Sequence, residues 1–185
     1  MRVEIVEEAE GVAPASMFPP GENYFDLRAN PQAIERIAAA RQYLALRNFL
    51  VSVNGPESIF TTASATTKSD LPATVSADQA YEFASQARIV FAEPALNWEQ
   101  RHYTDLSSRL KDLLERDTAD ATRAVLRISS CDFTAEDRHG FCLDIRLVAE
   151  GSLAQQAELR WGLGLARIQQ ALLFRSRALK QQTLD

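Results

Sequence analysis

Apolar and polar residues alternate most regularly between Arg123 and Gly151. Alternation with a period of two is typical of strands that bury one face, so this stretch predicts an antiparallel β-hairpin. A single hairpin is barely stable in water, and we therefore expect further strands and a covering layer. The predicted core face holds Ala124, Leu126, Ile128, Phe141, Leu143, Ile145, Leu147 and Ala149, and the opposite face holds Arg127, Ser129, Cys142, Asp144, Arg146 and Glu150.

Helix start signals and apolar residues at helical spacing predict four helices. Asn30 followed by Pro31 is a typical helix start and predicts a helix over 31–45. Capping boxes at 76–79 and 152–155 predict a helix that ends near Pro94 and a C-terminal helix that reaches about Gln181. A further helix is predicted over 98–115. The apolar stripes of the last three are Ala80, Phe83, Ala84, Ala87, Val90 and Phe91; Tyr103, Leu106, Leu110, Leu113 and Leu114; and Trp161, Leu165, Ile168, Leu172 and Leu179.

Two more strands are predicted between the first and second helices. Phe49, Val51 and Val53 alternate with polar residues ahead of a turn signal at 54–56, which favours a strand over 47–54. The stretch 59–68 is rich in threonine, a residue that suits strands. Neither of its faces is strongly apolar, so we expect an edge strand there.

The order of these elements predicts an α+β fold. Its sheet is expected to have four antiparallel strands, built from two hairpins, with helices packed on one face and a long C-terminal helix. We assign residues 30–185 to this single domain and residues 1–29 to an N-terminal arm. Val3, Ile5 and Val6 could give that arm a short edge strand, and Phe18, Tyr24 and Phe25 are expected to anchor it.

Composition and charge limit the classes of function. The net charge of −5 argues against a general nucleic-acid binder. The C-terminal helix is locally basic through Arg160, Arg167, Arg175, Arg177 and Lys180, and we expect these side chains to pair within the chain or with the helix dipole. The first residues lack the apolar core of a signal peptide, and no apolar run approaches membrane-spanning length. We therefore expect a cytoplasmic protein without a membrane partner, with both cysteines reduced.

Reactive residue types are few, and no catalytic motif accompanies them. The two histidines, His102 and His139, have no nucleophile motif such as GxSxG beside them. A zinc site would draw on Cys131, Asp132, Asp137, His139 and Cys142, but the CxxC spacing is absent and two free thiols are the favoured interpretation. We predict no catalytic, cofactor-binding or metal-ligating residues.

These observations favour a non-enzymatic protein-interaction module that associates with itself. The element order and acidic charge resemble those of small acidic secretion chaperones, α+β homodimers that bind unfolded or extended partners, and this resemblance implies a chaperone- or adaptor-like role. A long apolar helix needs cover, so we predict a homodimer with the C-terminal helix at its interface. The alternative is an enzyme or small-ligand-binding protein whose pocket lies between sheet and helices and uses Arg127, Arg146 or the 59–68 strand. The predicted interface residues are Trp161, Leu165, Ile168, Leu172 and Leu179.

Overall fold

A six-stranded sheet with helices on one face forms the body of the molecule. The computed structural model describes residues 1–8, 13–18, 25–72, 81–116 and 122–182. The strands are β1 (Arg2–Glu7), β2 (Ala15–Met17), β3 (Phe60–Pro72), β4 (Tyr81–Phe91), β5 (Thr122–Phe133) and β6 (Arg138–Gly151). The helices are α1 (Ala38–Gln42), α2 (Leu44–Val53), α3 (Gln100–Leu114) and α4 (Ala154–Gln182), with 3₁₀ helices at Pro31–Arg36 and Pro94–Asn97.

The sheet is mixed, which corrects the prediction of four antiparallel strands. Its order is β1-β5-β6-β4-β3, and β2 also pairs with β5. The two extra strands come from the N-terminal segment, where an edge strand through Val3 was expected. Both run parallel to β5, with Val3 beside Ala124 and Met17 beside Phe133. The long β5 thus offers its free edge to two short segments in succession.

The hairpin predicted between Arg123 and Gly151 is confirmed as β5 and β6. Leu126 lies opposite Ile145, and Ile128 lies opposite Leu143, so the apolar side chains share the face that the helices cover. That face is buried except for Phe141, which is half-buried. The hairpin therefore supplies the floor of the main core.

The helix predicted to end near Pro94 is wrong, because residues 81–91 form strand β4 in the middle of the sheet. β4 pairs with β3 on one side and β6 on the other. Both of its faces carry apolar side chains: Phe83 and Ile89 point toward the helices, and Ala84 and Val90 lie on the opposite face. Such two-sided burial removes the alternation that marks a strand. The capping-box residues 76–79 lie outside the described residues.

The first helix and first strand were also assigned incorrectly. Residues 31–42 form two short helices, and residues 44–53 form helix α2 where a strand was predicted over 47–54. The buried side chains of α2 are Leu46, Phe49, Leu50 and Val53, which is helical spacing and explains the result. The edge strand predicted over 59–68 is confirmed as β3, which extends to Pro72.

The last two helices are confirmed and complete the core. α3 buries Tyr103, Leu106 and Leu110. α4 contains 29 residues, so it is about 44 Å long. Its start is fixed by Gln156, whose side-chain oxygen accepts bonds from the backbone nitrogen and hydroxyl of Ser152 at 2.9 Å each. The residue that caps the helix is thus Gln156, one position after the last residue of the capping box predicted at 152–155. Among the described residues, no helix combines the length and apolar character needed to cross a lipid bilayer.

The anchors predicted for residues 1–29 fall in different places. Phe18 packs edge-on against Phe133, with ring centroids 6.4 Å apart. Phe25 packs against the main core and lies under the guanidinium of Arg36 at 4.7 Å. Tyr24 lies outside the described residues.

Candidate interaction site

The predicted interface stripe of α4 lies mostly inside the molecule. Trp161, Leu165, Ile168 and Leu172 are buried against the sheet and the other helices. The indole nitrogen of Trp161 donates to the hydroxyl of Ser85 at 2.7 Å, which fixes the helix over β4. Leu179 is half-buried and lines a cleft near the end of the helix.

The opposite side of α4 carries a second stripe that faces outward and is apolar at four of its five positions. Its positions are spaced by four, three, four and four residues, so they lie on one side of the helix. All five are exposed, including 66% of Leu159, 54% of Leu163 and 59% of Phe174. We call them the outer stripe of α4: Leu159, Leu163, Ala166, Gln170 and Phe174.

An open groove borders the outer stripe where α4 meets the start of α2. It measures about 410 Å³ and includes Leu44, Leu159, Leu163 and, at its base, Trp161. Leu44 is 69% exposed. The two helices lie close together here, since a Cβ built on Gly162 would lie 3.4 Å from the Cβ of Ala45. Apolar side chains of two helices therefore meet at one exposed surface.

The face of the sheet away from the helices carries unpaired arginines. Arg123 and Arg127 are exposed on β5, and Arg146 is exposed on β6 opposite Val125, which lies between them. These three arginines form no salt bridge with any residue in the described ranges. Arg146 and Thr66 line one shallow groove of about 120 Å³. Arg146 and the 59–68 strand, predicted to line a pocket between sheet and helices, thus meet on the outer face of the sheet instead, and Arg127 lies on the same face outside this groove.

Beside these arginines, one carboxylate is buried in a polar network. Asp144 is 6% exposed and accepts bonds from Arg88 Nε at 2.8 Å and Arg88 Nη2 at 2.9 Å. The Ser129 hydroxyl donates to the same carboxylate at 3.2 Å. The bonds to Asp144 raise the pKa of the Arg88 guanidinium. Two strands therefore hold this pair in a fixed fork geometry.

A deeper apolar cleft lies at the end of the sheet, between α3 and the last turns of α4. Its volume is about 370 Å³. Apolar side chains form most of its wall, while Arg175 is held on one side by Asp105, whose Oδ2 accepts from Nη2 at 2.6 Å. His102 packs edge-on against Phe91 in the same wall, with ring centroids 6.3 Å apart. The apolar lining residues are Ile59, Phe91, Leu96, Leu106 and Leu179.

Comparison with known families, curated proteins and solved structures gives no match to this chain.

The candidate metal ligands do not converge into a site. Cys131 and Cys142 are free, buried thiols in a small apolar cluster on the outer sheet face. A hydrogen bond with Cys131, together with burial, raises the pKa of the Cys142 thiol. His139 pairs with the exposed Asp132 at 2.9 Å. Within the described residues, no group of three or more potential ligands is close enough to hold a metal ion.

Basic residues of α4 make several bonds inside the chain. Arg160 donates to the backbone oxygen of Glu150 at 2.6 Å, and Lys180 donates to the backbone oxygen of Pro56 at 2.9 Å. Neither the outer stripe nor the cleft was predicted from the sequence. The outer stripe had a signal, because α4 contains apolar residues at helical spacing on two opposite sides.

Proposed function

We propose that the protein is a protein-interaction module that forms a homodimer through the outer stripe of α4. The observation that carries this proposal is an apolar row on the side of α4 that the chain itself leaves exposed. The opposite side of the same helix already fills the core. A helix that is apolar on two sides is typical of burial on both. A symmetric dimer is the commonest way for a soluble chain to supply the second partner.

The spacing of the outer stripe suits a two-fold arrangement. If two copies of α4 pack antiparallel about an axis near residues 166–167, Leu159 lies beside Phe174 of the second copy. Leu163 then lies beside Gln170 of the second copy, and Ala166 sits where the helices cross. A small residue at the crossing allows an interaxial distance at the short end of the usual range of about 8–10 Å. Large side chains at both ends would then meet in self-complementary pairs.

Sedimentation velocity tests the proposal with two matched substitutions. Leu163→Glu places a charge in the outer stripe and should weaken dimerisation by at least about tenfold, since an unpaired charge at an interface centre is unfavourable. Leu153→Glu makes the same change at a leucine that is 63% exposed but precedes α4, and it should leave the dimer intact.

Three outcomes contradict the proposal. The first is a wild-type chain that sediments as a monomer at about 10 µM, which would mean an affinity below that of most stable complexes. The second is an equal loss of the dimer in both variants, which would mean that the outer stripe has no special role. The third is a dimer that survives Leu163→Glu, which would mean that another surface holds it together. Circular dichroism of each variant confirms that its fold is retained.

A further inference from the structure

We infer that the cleft between α3 and α4 binds a small apolar carboxylic acid. The cleft has a volume of about 370 Å³, within the range of about 300–1,000 Å³ that is typical of small-molecule sites. It lies away from the outer stripe, on residues that the proposed dimer does not use. The inference is therefore independent of the proposed self-association.

The walls of the cleft favour an apolar ligand body. Phe91 and Leu106 are buried core residues that line the cleft, while Ile59, Leu96 and Leu179 are half-buried around it. Transfer of an apolar group from water to such a surface is favourable. A chain of several methylene groups or an aromatic ring would cover these side chains without requiring polar partners.

Arg175 determines the charge that the ligand should carry. Its side chain is only 14% exposed, so its position is fixed by its surroundings. One terminal nitrogen donates to Asp105, but Nε is buried without a hydrogen-bond partner, and Nη1 has no bond with a described residue. A buried donor that lacks an acceptor is destabilising. A ligand carboxylate at the end of the guanidinium would supply acceptors to its terminal nitrogens, in the paired geometry that arginine prefers.

A cationic ligand fits the same cleft poorly. Asp105, the carboxylate nearest the apolar wall, is shared between Arg175 at 2.6 Å and Arg109 at 3.6 Å. Glu93 also lines the cleft, but it is exposed to solvent. A cation would compete with two arginines at Asp105 and would otherwise find only the solvent-exposed Glu93, whereas an anion meets the guanidinium of Arg175.

Isothermal titration calorimetry with three probes of equal chain length tests the inference. The probes are octanoate, 1-octanol and octylammonium, and the wild-type protein should bind octanoate at least about tenfold more tightly than either of the others. Arg175→Gln should reduce octanoate affinity about tenfold and abolish the preference over octanol. Arg177→Gln, at an exposed arginine two residues later on the same helix, should leave both unchanged. Leu163→Glu in the outer stripe should bind octanoate like the wild type.

The wild-type measurements alone are enough to overturn the inference. Equal affinity for the three probes would mean that the cleft is a general apolar surface, and no heat with any probe would mean that it is not a ligand site. An equal loss of octanoate affinity in Arg177→Gln would mean that general electrostatic attraction, and not the position of Arg175, accounts for the binding. Amide NMR shifts on octanoate addition should be concentrated at Leu96, His102 and Leu179, and shifts confined to the outer stripe would place binding elsewhere.

Discussion

At the scale of single residues, Tyr103 shows how one polar atom is accommodated in the core. Its hydroxyl donates to Asn97 Oδ1 at 2.5 Å, and Asn97 also bonds both backbone groups of Phe91 at 2.9 and 3.0 Å. These bonds join α3, the second 3₁₀ helix and the end of β4. Burial raises the pKa of the Tyr103 phenol, because the charged form would be poorly solvated there.

This raised pKa predicts a loss of stability in alkali. The unfolded chain releases the Tyr103 proton near pH 10 while the folded chain keeps it, so its contribution is present below pH 10 and is lost as the pH rises. Tyr103→Phe should lower the free energy of unfolding by about 1 kcal/mol at pH 7, because Asn97 loses a partner. By pH 11 the difference in the free energy of unfolding between the wild type and Tyr103→Phe should be smaller by about 1 kcal/mol, because only the wild type loses stability in alkali. Urea unfolding at both pH values measures this, and an equal deficit at the two would contradict it.

At the scale of elements, the outer face of the sheet is organised around rows of side chains across strands. One row contains Arg127, Asp144, Arg88 and Ser64 on four neighbouring strands. Asp144 is the acidic member of this row, and its carboxylate is occupied by Arg88 and Ser129. The sheet therefore depends on Asp144 to balance positive charge.

Replacement of Asp144 tests that role. Asp144→Asn leaves the partly buried Arg88 guanidinium without its counter-charge and should lower the free energy of unfolding by about 3 kcal/mol. Asp132→Asn removes an exposed carboxylate from His139 and should change it by less than about 1 kcal/mol. Chemical denaturation compares the two. Equal effects would mean that burial of the Asp144 pair is unimportant, and Arg88→Leu combined with Asp144→Leu should recover most of the lost stability.

The local pattern of apolar residues decides which elements could be predicted from the sequence. The core-facing side chains of β5, β6, α3 and α4 repeat at strand or helix spacing, so the period of each element is visible in the chain. β4 is buried on both faces, and its apolar residues fit helical spacing as well as alternation. The parallel pairing of β1 with β5 depends on contacts about 120 residues apart, which no local pattern encodes. The cleft likewise combines Ile59, just before β3, with residues from β4, the second 3₁₀ helix, α3 and α4, and it was not predictable.

At the scale of the whole molecule, the length of the sheet determines how much of α4 is covered. A helix as long as α4 would overrun a sheet of short strands and leave residues 172–179 without cover. β6 has 14 residues and spans about 48 Å, slightly more than α4. Leu172 is accordingly fully buried. Any dimer through α4 has to use the outer stripe.

Two substitutions on opposite sides of α4 should therefore have different effects. Leu172→Glu buries an unpaired charge in the core and should unfold the protein or lower its stability by several kcal/mol. Leu163→Glu should retain the fold and its melting temperature within a few degrees at a concentration where the wild type is monomeric. Circular dichroism thermal scans distinguish them. A folded Leu172→Glu variant that has merely lost the dimer would reverse the assignment of the two sides.

The parallel pairing of β1 with β5 also dictates an order of events in time. During synthesis, residues 2–7 leave the ribosome long before residues 123–128, the strand segment they pair with. The edge groups of β1 must remain unpaired until that segment emerges, while the β3–β4 hairpin can close locally. Pairing across such a long loop is slow, since its closure entropy comes before its contacts form. The N-terminal strand is thus expected to join last, completing the sheet only after its centre exists.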